Sequence, residues 1–321
     1  MIINERNIKM WSTIGARATF GLTALELAKE IENLMVLTCD VSTSAGLDRY
    51  RKTFPEKYLD LGIAEQNMIG VATGLASEGY NVITTTFAPF QTTRCTEQIK
   101  VNIGYMNEKI CMVGIASGLA LGTLGFTHCC IEDIGVLRSI PGITIISPAD
   151  SLETVKAIKA SVEFNGSTYI RLTGSSNNPI VYNQDYNFEI GKSIKLKEGK
   201  DITIFCSGAS VYDCLQVSDT LGKKNVSASV INMHTIKPID QLAISKACTS
   251  SKLIVSVEEH NIIGGLGSAI AEFKATLKNS PKLLTIGIDD YYSKGGGYEF
   301  LKEKHGLTPD KIVNNILKNL T

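Results

Sequence analysis

Short apolar runs alternating with amphipathic stretches predict an α/β protein built as two consecutive doubly wound domains, each a mostly parallel sheet covered by helices. Three observations carry that prediction. The 321 residues exceed one ordinary domain and suffice for two, each with a core of its own. The alternation begins at residue 35, lapses after 172 and starts again at 202. The lapse itself, GSSNNPIVYNQDYNFEIGKSIKLKEGK over 174–200, is polar and rich in turn formers, as a crossing between domains is.

In chain order, Phe20, Leu22, Leu25, Leu27, Ala28 and Ile31 form a helical stripe within 16–34. Strands are expected at 35–38, 81–86, 110–115, 143–146 and 168–172, with helices at 64–78, 89–103, 131–139 and 150–164. The lapse is expected to hold a linker with a short hairpin. The second series gives strands at 202–206, 227–231, 253–257 and 283–286, and helices at 209–222, 239–248, 264–277 and 309–319. The expected boundaries are therefore a first domain over 1–180, a linker over 181–200 and a second domain over 201–321.

Composition narrows the function. Lys plus Arg and Asp plus Glu both total 32, which leaves no basic surplus for a nucleic-acid backbone or an anionic membrane. The eight cysteines show no C-x-x-C spacing, so they read as small buried hydrophobes in a reducing compartment, the cytoplasm, and not as metal ligands. The opening MIINERNIKMWSTIG carries charges where a secretory signal needs an apolar core. The uncharged stretch 110–130 is long enough to raise the question of a membrane span, but Gly114, Gly118, Gly122 and Gly125 break it into a strand and a glycine-rich loop.

The most informative segment is YLDLGIAEQNMIGVATGLASEGYNVITTTFAPF, 58–90. A strand ends at Gly62 and a helix begins near Ala64, so Glu65 falls in the first helical turn at the carboxyl edge of a sheet, where open α/β folds bind ligands. An acid there also complements the helix dipole, so Glu65 by itself carries two readings. GIAEQN, then a helix, a strand and FAPF-x-x-x-R, resembles the pyrimidine-binding domain of the transketolase family. The resemblance continues through THCCIEDIGVLRSIPGITIISPADSLE (127–153), YIRLTG (169–174) and EEHNIIGGLGSAIAE (258–272), nearly the whole chain.

That resemblance implies thiamine diphosphate as cofactor and sugar phosphates as substrates. It gives Glu65 the hydrogen bond to N1′ of the aminopyrimidine, where a shared proton favours the imino form that activates the thiazolium carbon. It gives Phe87 and Phe90 the wall against the pyrimidine, with Thr93 where a further aromatic is usual, and His128 a contact to the substrate carbonyl or hydroxyl end. Arg171 would grip the substrate phosphate with its guanidinium fork. Asp40 would border the cofactor and Ser44 the sugar phosphate, although both residue types equally suit a helix cap and a turn.

Two departures bear on substrate. Leu124 stands where the family has an acid and Ala116 where it has a His, both of which contact sugar hydroxyls, so the donor differs from a standard pentose phosphate or is held by other groups. No Gly-Asp-Gly followed by Asn is present, so Mg²⁺ and the diphosphate require a second polypeptide, an N-terminal subunit, in an α₂β₂ assembly. The GGLG at 264–267 mimics a dinucleotide fingerprint but has the wrong spacing, and is expected to serve close helix packing, with an anion at the helix N-terminus as the further option. The expected function is thus the C-terminal subunit of a split transketolase moving a two-carbon ketol unit. The alternatives are a 1-deoxyxylulose-5-phosphate synthase-like or 2-oxo-acid dehydrogenase β-subunit-like activity, and a catalytically degenerate paralogue that binds a partner.

Overall fold

The computed structural model describes residues 1–174 and 176–320. Six strands of the first half are β1 (Leu34–Thr38), β2 (Tyr58–Asp60), β3 (Asn81–Phe87), β4 (Ile110–Ile115), β5 (Ile143–Ile146) and β6 (Ser167–Arg171). Six follow: β7 (Ile194–Lys197), β8 (Ile202–Cys206), β9 (Ala228–Asn232), β10 (Thr235–Lys237), β11 (Leu253–Asn261) and β12 (Lys282–Ile288). They form a seven-stranded sheet in the order β10-β5-β6-β4-β3-β1-β2 and a five-stranded sheet in the order β12-β11-β8-β9-β7. Every pairing is parallel except β10 with β5 and β7 with β9. The doubly wound α/β expectation therefore holds, with one strand of the second half completing the first sheet.

The differences from expectation have physical causes. The strand β7 lies in the expected linker, but its partner is β9, so no hairpin forms within the linker. The strands β2 and β10 have three residues each, too short for an apolar period to show. The expected helix 89–103 is instead a broken path of short turns, Ala88–Gln91, Thr93–Cys95, Thr96–Gln98 and a π-helical Ile99–Tyr105. Three threonines cause part of this: Thr92, Thr93 and Thr96 donate their hydroxyls back to the carbonyls of Ala88, Pro89 and Thr92, and such back-bonding bends helices.

The helix Glu5–Glu30 serves both halves. It kinks at Gly15, which takes φ 80. Before the kink, Ile8 and Trp11 pack into the core around β8 and β11, whereas Ala16, Phe20, Ala24 and Leu25 beyond it pack against β1 and β4. Past the kink the helix crosses the loop after β1 at two glycines. A Cβ on Gly21 would stand 2.0 Å from the carbonyl oxygen of Gly46, so neither side of that crossing admits a side chain. The stretch 110–130 folds as β4 and the loop behind it, and no helix among the described residues is long and apolar enough to cross a membrane.

Candidate active site

The strands β1 and β2 end level with one another, with Thr38 paired to Asp60 on one side and to Thr85 on the other, where β3 runs two residues further to Phe87. Oδ1 of Asp60 accepts the amides of Asp40 and Gly62 at 2.9 and 3.0 Å, tying the ends of β1 and β2 together. Gly62 then takes φ 66 and turns the chain into the helix Glu65–Ser77. Its inward face consists of Glu65, Met68, Ile69, Ala72 and Thr73, at the spacing of one helical stripe. Glu65 belongs to the apolar face of its own helix, which is why an acid at the sheet edge is only 4% exposed.

The two oxygens of that carboxylate have different surroundings. Oε1 lies 2.8 Å from Nη1 of Arg94. Oε2 has no hydrogen-bond partner among the described residues. Phe87 closes β3 and Phe90 follows in the next turn, both half-buried, with ring centroids 6.3 Å apart and nearly perpendicular. His128 meets both edge-on, at 6.2 and 5.4 Å, and its Nδ1 lies 3.0 Å from the hydroxyl of Thr127. The loop that carries His128 is braced from the second half: Gly296 donates its amide to the carbonyl of Gly122, and Tyr292 packs its ring on Phe126.

Backbone strain collects at the same edge. Apart from asparagines, the described non-glycine residues with positive φ are Asp40 (55°) and Ala116 (54°), which follow β1 and β4. Such conformations persist where the surrounding structure enforces them, and they cluster at functional sites. Asp40 is exposed, and Ser44 lies in the turn beyond it with no side-chain hydrogen bond among the described residues. Neither caps a helix, because the N-cap of the helix Asp48–Thr53 is Leu47. Ala116 is buried, while Leu124 is 55% exposed on the His128 loop.

Glu65, Phe87, Phe90 and His128 thus come together, and Arg171 does not join them. The expectation that Arg171 grips a substrate phosphate is corrected by its burial: 2% exposed, it donates Nε to both oxygens of Asp133 (3.0 and 2.8 Å) and Nη2 to the carbonyls of Cys130 and Glu259. Tyr169 donates its hydroxyl to the same carboxylate at 2.7 Å. Burial works against the Arg171 charge, and Asp133 more than offsets it, holding the guanidinium above its usual pKa. This arginine is a strut between β6, the segment after His128, and β11.

The second half fills its own polar positions. The amides of Leu266 and Gly267, at the start of the helix Leu266–Lys274, donate to Glu258 at 2.6 and 2.8 Å, so the anion at the GGLG turn is a side chain of this chain. Glu259 accepts the amide of Leu119 and the hydroxyl of Tyr298. Burial lowers the pKa of His260 to about 4; it is neutral, and because Nε2 accepts the amide of Gly135, Nδ1 holds the proton and donates to the carbonyl of Asn261.

Two residues escape a reading of the sequence alone. Arg94 closes the FAPF-x-x-x-R motif, and only the path through Thr92 and Thr93 reveals that it turns back to Glu65. Arg17 follows the Gly15 kink and rests its backbone on Gly46, in the loop carrying Asp40 and Ser44. Its half-buried guanidinium has no ion pair or hydrogen bond among the described residues, and burial lowers its pKa. An uncompensated cation at a sheet edge is costly to maintain and suits an anionic ligand.

Comparison with known proteins agrees with this fold. Residues 12–178 match the family model of the transketolase pyrimidine binding domain, and residues 191–312 that of the transketolase C-terminal domain. A putative transketolase C-terminal section from Methanocaldococcus jannaschii is 37% identical over 307 residues, covering 95% of this chain and 96% of its own length. An apulose-4-phosphate transketolase subunit from Phocaeicola vulgatus is 36% identical, with 95% and 97% covered. A solved split-gene transketolase, described as an inactive tetramer of β chains, superposes with a TM-score of 0.85 at 33% identity, covering 96% of this chain and 98% of that one.

Proposed function

The chain belongs to the transketolase family as the C-terminal subunit of a split transketolase, a transferase, and from that premise we propose that it holds the aminopyrimidine end of thiamine diphosphate at Glu65 and moves a two-carbon ketol unit between sugar phosphates. The observation that carries this reading is the unpartnered Oε2 of a buried carboxylate beside the half-buried Phe87 and Phe90. Those residues fit the ring: one oxygen is free for a ring nitrogen and two aromatic side chains are available as a wall. When bound there, the cofactor supplies the electron sink for carbon–carbon cleavage.

This chain's own residues do the rest. Glu65 holds a proton at the ring nitrogen, and its burial excludes water that would compete for it. His128, edge-on to both phenylalanines, orients the substrate oxygen and exchanges a proton with it. Arg17 supplies the cation for the sugar phosphate in place of Arg171, with Asp40 and Ser44 bordering cofactor and substrate from the loop beside it. The unit begun by residues 1–180 binds the pyrimidine and borrows β10 from the 201–321 unit, and the crossing over 181–200 gives that second unit its edge strand β7.

Mg²⁺ and the diphosphate fall to an N-terminal subunit carrying Gly-Asp-Gly and Asn, in an α₂β₂ enzyme. This chain lacks that motif, and the P. vulgatus relative is itself named as one subunit of a transketolase. Leu124 and Ala116 favour a donor other than an ordinary pentose phosphate, and the same relative is named for apulose 4-phosphate. The test is the assembled enzyme with thiamine diphosphate, Mg²⁺ and a panel of phosphorylated ketoses. Ketol transfer should appear and drop at least about 100-fold in Glu65→Gln with assembly intact. Full activity in that variant, or decarboxylation of pyruvate with no ketose consumed, would overturn the assignment.

A further inference from the structure

We infer that Arg94 is a positioning residue that divides the two oxygens of Glu65 between two tasks, fixing Oε1 so that Oε2 is the one presented to the ring nitrogen. The inference rests on the reading of Glu65 given above. Four observations lead to it. Nη1 of Arg94 contacts Oε1 at 2.8 Å, the nearest approach of the pair, while Oε2 accepts no hydrogen bond among the described residues. The guanidinium carbon lies 3.9 Å from the centroid of Phe90, so one cation stacks on the aromatic wall and anchors the acid. Its backbone is held as well, because the side-chain amide of Gln66, the next residue after Glu65, donates to the carbonyl of Arg94 at 2.9 Å. Finally, the side chain of Arg94 is 39% exposed against 4% for Glu65, so the arginine approaches the acid from the solvent side.

A carboxylate without such an anchor rotates about its last bond and offers either oxygen. One ion pair fixes its plane, and the stacked guanidinium keeps that pair from swinging into solvent. Lysine could supply the charge but not the planar stack. In this arrangement Glu65, Arg94 and Phe90 form one unit: the guanidinium that pairs with the acid also stacks on the phenylalanine, whose ring meets Phe87 and His128 at 6.3 and 5.4 Å.

The experiment compares wild type, Arg94→Gln and Arg94→Lys in the enzyme assembled with its partner subunit. Calorimetry with thiamine diphosphate and Mg²⁺ gives affinity, and a circular-dichroism pH titration of the bound pyrimidine reports the shared proton. Arg94→Gln should bind the cofactor roughly 10-fold more weakly, as loss of a supporting partner commonly does. Its titration should move to higher pH, because removing a cation favours the protonated form. Arg94→Lys should restore the titration midpoint while recovering only part of the affinity. A cofactor analogue with carbon in place of N1′ should bind wild type and Arg94→Gln alike. Tighter binding by Arg94→Gln would mean that the arginine competes with the ring for Glu65, and would overturn the inference. So would unchanged affinity and titration, or an equal loss with the analogue. If Arg94→Gln does not assemble, Arg94→Met, which also removes the cation, takes its place with the same expected and overturning outcomes. Wild type that binds no cofactor defeats the underlying reading of Glu65 instead, and this inference with it.

Discussion

The carboxyl edges of the two sheets hold similar chemistry and use it in opposite ways. Each presents acids at the carboxyl ends of its strands, just past β2 in GIAEQN at the first and in the last residues of β11 in EEHNIIGGLG at the second. At the second edge every such group is satisfied from within: Glu258 takes the amides that open a helix, Glu259 takes Leu119 and Tyr298, and His260 bridges Gly135 and Asn261. The first half even seals that edge, with the amide of Gly208 donating to the carbonyl of Ser147 and that of Ala209 to the hydroxyl of Thr173. At the first edge, among the described residues, Glu65 keeps one oxygen without a partner and Arg17 keeps its whole charge. Completed hydrogen bonding marks the edge that holds the halves together, and incomplete bonding marks the edge that binds something else.

The largest test of that contrast is Arg171. As a strut it should be intolerant of replacement: Arg171→Met strands the Asp133 carboxylate without its cation and should cost about 3–5 kcal/mol in urea unfolding. The double variant Arg171→Met, Asp133→Leu should recover part of the loss, since no buried charge is then left unpaired. A stable Arg171→Met protein with only a raised KM for phosphorylated donors would instead return this arginine to the substrate.

The second edge should also register in pH dependence through Glu258. Burial raises its pKa from 4.5 to about 7, against the pull of the Gly267 and Leu266 amides. The folded state therefore holds this proton more tightly than the unfolded chain. The resulting stabilisation is full below pH 4.5 and is lost as pH rises through about 7, a difference of roughly 3 kcal/mol. His260 acts in the opposite sense: neutral when folded, with its pKa lowered from 6.5 to about 4, it adds stability as pH rises through that interval, so the Glu258 effect is read as the difference from a variant that keeps His260. Measured against Glu258→Gln, wild type should lose stability between pH 5 and 8, and parallel melting curves across that range would show the carboxylate to be fully repaid by its two amides.

How much of this is legible in the sequence follows the same division. The long strands and the helices 65–77, 151–163 and 210–222 are readable because their apolar periods run for several turns or residues. Glu65 is readable as a candidate because Gly62 and the helix start fix its place, and Phe87 and Phe90 because they close and follow a strand. What cannot be read is partnership across the chain. Arg171 in YIRLTG looks the same whether it faces a phosphate or Asp133, thirty-eight residues away. The broken path after Phe90 is hidden because threonine hydroxyls, which compete with helix bonding, leave the residue pattern helical. Strand β10 is hidden because its partner β5 belongs to the other half.

Arg17 offers the smallest effect and the sharpest discrimination between the two edges. A cation placed for packing would lower stability when removed. A cation held ready for an anion should do the reverse, because an unpaired half-buried guanidinium is itself unfavourable. Arg17→Ala should thus leave the melting temperature unchanged or slightly raised. It should lift KM for a phosphorylated ketose by roughly 10- to 100-fold, the equivalent of about 1.5–3 kcal/mol for hydrogen bonds to a charged group, with little change in kcat. An unphosphorylated ketose supplies the control, since it has no anion to lose and its KM should not respond to the substitution. A fall in melting temperature with KM for both donors unchanged would make Arg17 a packing residue, and the first edge would then lack its proposed phosphate contact.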